Sequence, residues 1–185
     1  MIDLNYLKDT KSAAKWLLGK ELSLGDCKGI IVETEAYLQN DPSCHAYRGK
    51  TLRNAPMFDR AGTVYVYFIY GMYMCLNIVT NDVGVGEAVL IRALKPISGI
   101  PLMAERRRTE KLTNLCSGPG KLCMAFGIDR DCNDTFLGEK IEIKDVGYKV
   151  GRIISCPRIG IHEDKPKNLR FYIEKDKNLV SILKK

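Results

Sequence analysis

"YVYFIYGMYMCLNIVT", Tyr65 to Thr80, decides how the chain is read. Four tyrosines and a phenylalanine crowd into residues 65 to 73 around a single glycine. Rings and β-branched residues run on both sides of Tyr70 and Gly71, which makes the stretch a hairpin by pattern, with its turn at that pair. Up to the turn, Tyr65, Tyr67 and Ile69 alternate with Val66, Phe68 and Tyr70, so the two faces carry different rings and Tyr70 lies at or beside the tip. Core packing accounts for Val66, Phe68 and Ile69. It does not account for an aromatic at the tip, where an exposed ring suits a wedge between nucleic-acid base steps. A second tyrosine set back on the hairpin, together with Tyr37, could sandwich an extruded base. Stacking is worth about 1 to 3 kcal/mol per base, comparable with the few kcal/mol that flipping costs, so a weakly paired, damaged base would tip the balance.

The flanks fill in a mixed α and β chain. Residues 10 to 18 ("TKSAAKWLL") predict a short helix that Gly19 stops, and "GIIVETEAYL" (29 to 38) predicts a strand. Residues 39 to 62 are polar and rich in Asp, Pro, Asn and Gly, the pattern of a long ordered loop of the kind that carries function. Further strands are expected at "EAVLIRAL" (87 to 94), "RIISCPRIGI" (152 to 161) and "LRFYIEK" (169 to 175). A charged helix is expected over "MAERRRTEKL" (103 to 112), and another begins at Pro119 and ends at Gly127. At 185 residues with no repeat, low-complexity tract or linker, residues 1 to 185 read as a single domain.

The chain carries 29 Lys and Arg against 22 Asp and Glu, a net charge of +7, and 18 of the basic side chains lie in residues 101 to 185. Such a surface serves solubility and suits a polyanionic partner equally well. Seven cysteines, at 27, 44, 75, 116, 123, 132 and 156, form no CxxC pair and read as small buried hydrophobes of a reducing, cytoplasmic compartment, with no disulfide frame or zinc site. No uncharged apolar run approaches the length of a membrane span.

Chemistry concentrates in few places. In a regular strand Glu33, Glu35 and Tyr37 share one face. The two acids are either an exposed edge face or a general base with its supporting neighbour. Arg92, inside the apolar "LIRAL", needs an acidic partner because an unpaired buried guanidinium is costly. Cys44 beside His45 invites a nucleophile reading that adjacency does not support, and His45 is as readily a hydrogen-bonded loop residue as a catalytic one. "GPGK" (118 to 121) is too short for a phosphate-binding P-loop. "RRR" at 106 to 108 reads as a solvated helix face.

Taken in order, "LLGKEL", "GIIVETEAY", "DPSCHAYRGKTLRN", "MFDRAGTVYVYFIYGMYMCLNIVT", "EAVLIRALKP", "LCSGPGKLCMAFGID" and "LRFYI" resemble the alkyladenine (3-methyladenine) DNA glycosylase family, in its short bacterial type unrelated to helix-hairpin-helix glycosylases. The resemblance implies an α+β domain with a curved, mostly antiparallel sheet and a protruding hairpin that enters the minor groove. It implies a monofunctional enzyme that flips and hydrolytically excises alkylated or deaminated purines (3-methyladenine, 7-methylguanine, hypoxanthine, ethenoadenine) from duplex DNA.

By motif position, Glu35 corresponds to the family's general base for water, with Glu33 supporting it, and Arg92 to the arginine that helps hold that water. Tyr37 and Tyr67 match the stacking walls of the base pocket, and His45 the histidine that contacts the base. Asn77 matches the asparagine that crowds out the 2-amino group of normal guanine. Tyr70, with Met72, matches the intercalating tip, and Lys50, Thr51, Arg53 and Lys121 the contacts to the DNA backbone. No metal or organic cofactor is implied, and the expected partner is damaged double-stranded DNA, bound by a monomer away from membranes in the cytoplasm at the nucleoid. The rivals are a glycosylase that also nicks the strand through a lysine Schiff base, and a non-catalytic nucleic-acid-binding module on the same scaffold.

Overall fold

A computed structural model describes residues 2–161 and 166–181. Its strands are β1 (Glu21–Leu24), β2 (Cys27–Tyr37), β3 (Val64–Ile69), β4 (Tyr73–Val79), β5 (Ala88–Ser98), β6 (Glu142–Lys144), β7 (Ile153–Cys156) and β8 (Arg170–Ile173). Every pairing is antiparallel, in the order β3-β4-β5-β2-β1-β6. β8 joins the second half of β2 on the edge that β1 leaves free, and β7 pairs with β8. With four short α-helices, α1 (Thr10–Trp16), α2 (Ile100–Arg107), α3 (Leu112–Leu115) and α4 (Pro119–Phe126), this is the α+β fold with a curved, antiparallel sheet that the sequence led us to expect.

β2 is the spine of the sheet. β5 flanks it along its length, and the register shifts at Lys28/Gly29 and between Ile31 and Thr34, irregularities of the kind that bend a strand. Nine of its eleven positions, Cys27 and Gly29 to Ala36, are buried, because the sheet is covered on both faces there. Phe171, Phe126, Leu22, Leu76 and Ile91 fill the main core around it. Burying each such side chain is worth about 1.5 to 3 kcal/mol. α1 is capped by the Asp9 carboxylate, which accepts from Ser12 N at 2.8 Å, and docks on β2 where Thr34 Oγ1 donates to Ala14 O at 2.7 Å.

The hairpin of β3 and β4 turns where expected, with Ile69 paired to Tyr73. Tyr70 and Gly71 both have positive φ, 54° and 68°, the left-handed pair that a tight hairpin turn requires. Tyr70 holds that conformation against its Cβ, and 83% of its surface is exposed.

Several expected elements are shorter, among them the strand expected at 169–175, which runs Arg170–Ile173, and the helix expected at 10–18, which runs Thr10–Trp16. The helix expected at 103–112 runs Ile100–Arg107 and stops at Arg108, whose φ of 49° closes the last turn. The strand expected at 152–161 is confined to Ile153–Cys156. Pro157, which has no backbone N–H to give a ladder, ends it and frees residues 157 to 161 for another use. Among the described residues no helix is long and apolar enough to cross a membrane.

Candidate active site

The second half of β2 carries the acids inward. Glu33 and Glu35 are both 0% exposed, so the exposed-edge reading of "ETE" fails: β5 and β8 close both edges of the strand there. Arg92, from the facing part of β5, lies between them, with Nη1 donating to Glu35 Oε2 at 3.0 Å and Nε 3.6 Å from Glu33 Oε1. Arg170 of β8 brings a second guanidinium, its Nε donating to Glu33 Oε1 at 2.6 Å. Ser181 N donates to the other Glu33 oxygen at 2.7 Å. Two carboxylates and two guanidiniums thus neutralise one another in the buried interior. Burial opposes the charge on Arg92, and the two glutamates outweigh it, leaving the guanidinium more firmly protonated than usual.

Glu35 has two further donors. Tyr37 Oη donates to Oε2 at 2.8 Å, and Ile159 N, from the segment that Pro157 frees, donates to Oε1 at 2.8 Å. Burial, and next the negative charge of Glu35, hold the Tyr37 phenol well above its ordinary value of 10.

Tyr37, Arg92 and Ile159 all line a cavity of about 520 Å³, within the roughly 300 to 1,000 Å³ typical of ligand sites. Glu35 lies just behind that wall and is not part of it. The cavity also takes in His45, Tyr65, Tyr67, Asn77 and, at its mouth, Tyr70 and Lys121. Tyr67 meets the His45 ring at a centroid distance of 4.5 Å and the Tyr65 ring at 5.5 Å. Burial raises the Tyr67 hydroxyl far above the usual phenol range and pushes Tyr65 up to about 12.

The 39–62 loop is an ordered arch, as its composition suggested. Asn54 ties it together, with Nδ2 donating to His45 O at 2.8 Å and Oδ1 accepting from Thr51 N at 2.6 Å. His45 is exposed to the cavity, its Nδ1 3.1 Å from Tyr65 Oη, and partial desolvation there together with nearby Arg53 holds the imidazole below its ordinary value of 6.5. A neutral ring that accepts the Tyr65 proton at Nδ1 carries its own proton on Nε2. The neighbouring Cys44 is buried and pushed up to about 11, and its Sγ faces Gly86 O at 3.7 Å, so no activated Cys/His pair forms. All seven cysteines are free, and among the described residues no cluster suited to a metal ion exists.

Asn77 is fixed with equal firmness. Its Nδ2 donates to Tyr65 O at 3.1 Å, so the carboxamide cannot swing out of the cavity. At the rim, Arg53 Nη2 donates to Phe68 O at 3.0 Å, and Arg130 lies 5.6 Å from the Phe68 ring centroid. Lys50, Thr51, Arg53, Phe68, Tyr70, Met72 and Tyr73 are exposed there, an apolar tip set among cations. A Cβ on Gly120 would sit 2.9 Å from the Tyr73 ring, so only glycine lets the start of α4 pack against the hairpin. Lys121 Nζ donates to Asn114 Oδ1 at 2.5 Å and Ser117 Oγ at 3.2 Å.

Several site residues escaped the sequence reading. Ile159 and Arg158 were hidden inside a supposed strand, although the Pro157 and Gly160 that bracket them are loop signals. Arg107, set aside with the solvated "RRR" face, instead lines the cavity and donates to Leu115 O at 3.1 Å, which holds the end of α3. Arg170 and Asp41 gave no signal, since their partners are more than 100 residues away in the chain.

A buried acid held by arginine behind an aromatic cavity, with a basic rim and a projecting ring, belongs to the class of hydrolases that act on DNA bases. The comparisons with known proteins agree. Residues 4–177 match the family described as methylpurine-DNA glycosylase (MPG), and the chain belongs to that family. A Francisella tularensis protein with the printed name "Putative 3-methyladenine DNA glycosylase" is 49% identical over 181 residues, covering 93% of each chain. Proteins of the same name from Rhizobium etli and Methanoculleus marisnigri are 47% and 44% identical, over 91% of this chain and 83% and 92% of theirs. Membership makes the chain a DNA glycosylase for methylated purines, an N-glycosidic hydrolase.

Proposed function

We propose that the enzyme turns a damaged nucleotide out of duplex DNA into the 520 Å³ cavity and hydrolyses its bond to the sugar, releasing 3-methyladenine, 7-methylguanine, ethenoadenine or hypoxanthine. The observation that carries this reading is the Glu35 carboxylate, held by Arg92, Tyr37 and Ile159 directly behind the cavity wall. Three donors occupy three of about four lone-pair directions of a carboxylate. The fourth accepts from a water that enters between Arg92 and Ile159, and Glu35 takes its proton as the water attacks the sugar carbon.

Alkylation at N3 or N7 makes the purine a cation and therefore its own good leaving group, so bond breaking runs ahead of attack and the sugar becomes oxocarbenium-like. The charge of Glu35 stabilises that cation. Metal or cofactor chemistry is not needed for such a step.

Tyr37 and Tyr67 are the walls between which the base stacks, and the Nε2 proton of His45 is offered to an acceptor on it. The rigid Asn77 carboxamide leaves no room for the 2-amino group of guanine, so selectivity is steric. Tyr70, with Met72, fills the gap left in the duplex, while Lys50, Thr51, Arg53 and Lys121 contact phosphates. Among the described residues Lys121 is the lysine that lines the cavity and could serve as a Schiff-base nucleophile, but Asn114 and Ser117 hold its ammonium, which favours hydrolysis without strand cleavage.

The test is chromatography of bases freed from methylated DNA and from a hypoxanthine-containing duplex, with borohydride added in parallel. Free base with no trapped protein–DNA adduct is expected. Adduct formation would overturn the hydrolytic route, and no freed base from either DNA would overturn excision.

A further inference from the structure

Arg158 and Asp41 form a buried ion pair with no part in the hydrolysis described above. Arg158 Nη2 donates to Asp41 Oδ2 at 2.8 Å, with side chains 1% and 0% exposed. Nη1 donates to Ala36 O at 3.2 Å. Ser43 N donates to Asp41 Oδ1 at 2.9 Å, and Lys167 Nζ is 3.5 Å from Oδ2. A buried pair of this kind is weak grounds for stability, because an apolar pair of the same shape often does as well. What distinguishes it is the placement of the cation: Arg158 Cζ lies 4.8 Å from the centroid of the Tyr37 ring. Tyr37 lines the cavity and Arg158 does not, so the guanidinium backs the ring from outside the pocket.

We propose that Arg158, tempered by Asp41, is a specificity-determining residue that sets the pocket's preference between positively charged and neutral bases through the Tyr37 ring. The inference rests on the reading of Tyr37 as a wall for the flipped base. An aromatic face attracts a cation through the ring quadrupole. A cationic purine stacked on the cavity side must share that quadrupole with Arg158 and is repelled by its charge, while a neutral purine meets neither penalty. Arg158 therefore lowers the advantage that an aromatic pocket gives to 7-methylguanine, and keeps hypoxanthine within reach of the same site. Asp41 compensates part of the guanidinium charge, so the two residues act in opposite directions.

Opposite signs make the test. Single-turnover release of 7-methylguanine and of hypoxanthine is measured from duplexes for the wild type, for Asp41→Asn, and for the neutral double variant Arg158→Met/Asp41→Asn. The ratio of the two rate constants within each protein cancels losses of folding or DNA affinity. Relative to wild type, the charged-over-neutral ratio rises about three- to tenfold in the double variant, where the competing cation is gone, and falls about threefold in Asp41→Asn, where the Asp41 charge that tempers it is removed. A merely structural role slows both bases alike and leaves the ratio flat, which overturns the assignment. A shift of the same sign in both variants does so too. Wild-type release is scored first: its absence for both bases sinks the excision reading itself, whereas release with a flat ratio in the variants sinks only the role of Arg158.

Discussion

Replacing Arg92 by Met keeps most of the side-chain volume and removes the charge between Glu33 and Glu35. Arg92 Nη1 lies 3.0 Å from Glu35 Oε2 and Nε 3.6 Å from Glu33 Oε1, all three side chains being no more than 8% exposed. Without it Glu33 keeps Arg170 and the Ser181 amide, but Glu35 is left a buried carboxylate with only Tyr37 and Ile159 as donors. Removing one partner of a buried pair costs about 3 to 5 kcal/mol. At roughly 2 to 4 °C per kcal/mol for a chain of this size, Tm falls by about 6 to 20 °C. Urea denaturation of Arg92→Met, Glu35→Gln and the double variant closes a cycle. The double variant, which leaves no unpaired charge, is expected to lose at least about 1.5 kcal/mol less than the sum of the singles. Single losses that simply add would show that Arg92 and Glu35 are not paired in solution, and the arrangement of the buried charges would have to be redrawn.

Tyr70→Ala removes a ring that is mostly in solvent, so stability changes by no more than about 0.5 kcal/mol. Affinity for a lesion duplex, read by fluorescence anisotropy, drops about 5- to 150-fold if the ring stacks in DNA, and unchanged affinity would exclude the wedge. Gly120→Val puts a Cβ within 2.9 Å of Tyr73 and forces the hairpin away from α4. A cost of about 1 to 3 kcal/mol in urea and at least tenfold slower base release are expected, and release at the wild-type rate would uncouple the hairpin from the site. Partial desolvation and Arg53 hold His45 below 6.5, so between that lowered value and 6.5 the unfolded chain binds more protons than the folded one. The His45 contribution is complete above 6.5 and is lost as pH falls through the lowered value. Urea midpoints of His45→Gln should lose that part of the acid slope, and identical slopes in the two proteins would contradict the assignment.

The sequence made the hairpin legible because period-2 alternation and a turn-forming glycine act locally, and the rings at the tip had no other physical account. It also tied Arg92 to an acid, since an arginine in an apolar strand must find one. The two carboxylates were ambiguous because "ETE" looks the same on an exposed edge and in a buried spine. Only β8, arriving from residue 170, decides between them. The Pro157–Ile161 segment was misread because four isoleucines in ten residues looked like a strand, although a proline and a glycine argued otherwise. Arg158 became visible only through contacts with Asp41 and Tyr37, which lie more than 100 residues earlier in the chain. Long-range pairing of this kind leaves no local periodicity to read.

The most direct test of the account is Glu35→Gln beside the wild type, assayed in parallel for single-turnover release of base from a 7-methylguanine duplex and for equilibrium binding to it. Glutamine preserves shape and keeps one acceptor oxygen, which can face Tyr37 and Arg92 or Ile159 but not all three, and it cannot take a proton from water. Release slowed at least about a hundredfold, with affinity for the lesion duplex kept within a few fold, is the predicted result. Release at the wild-type rate would contradict the assignment of Glu35 as the base that activates water.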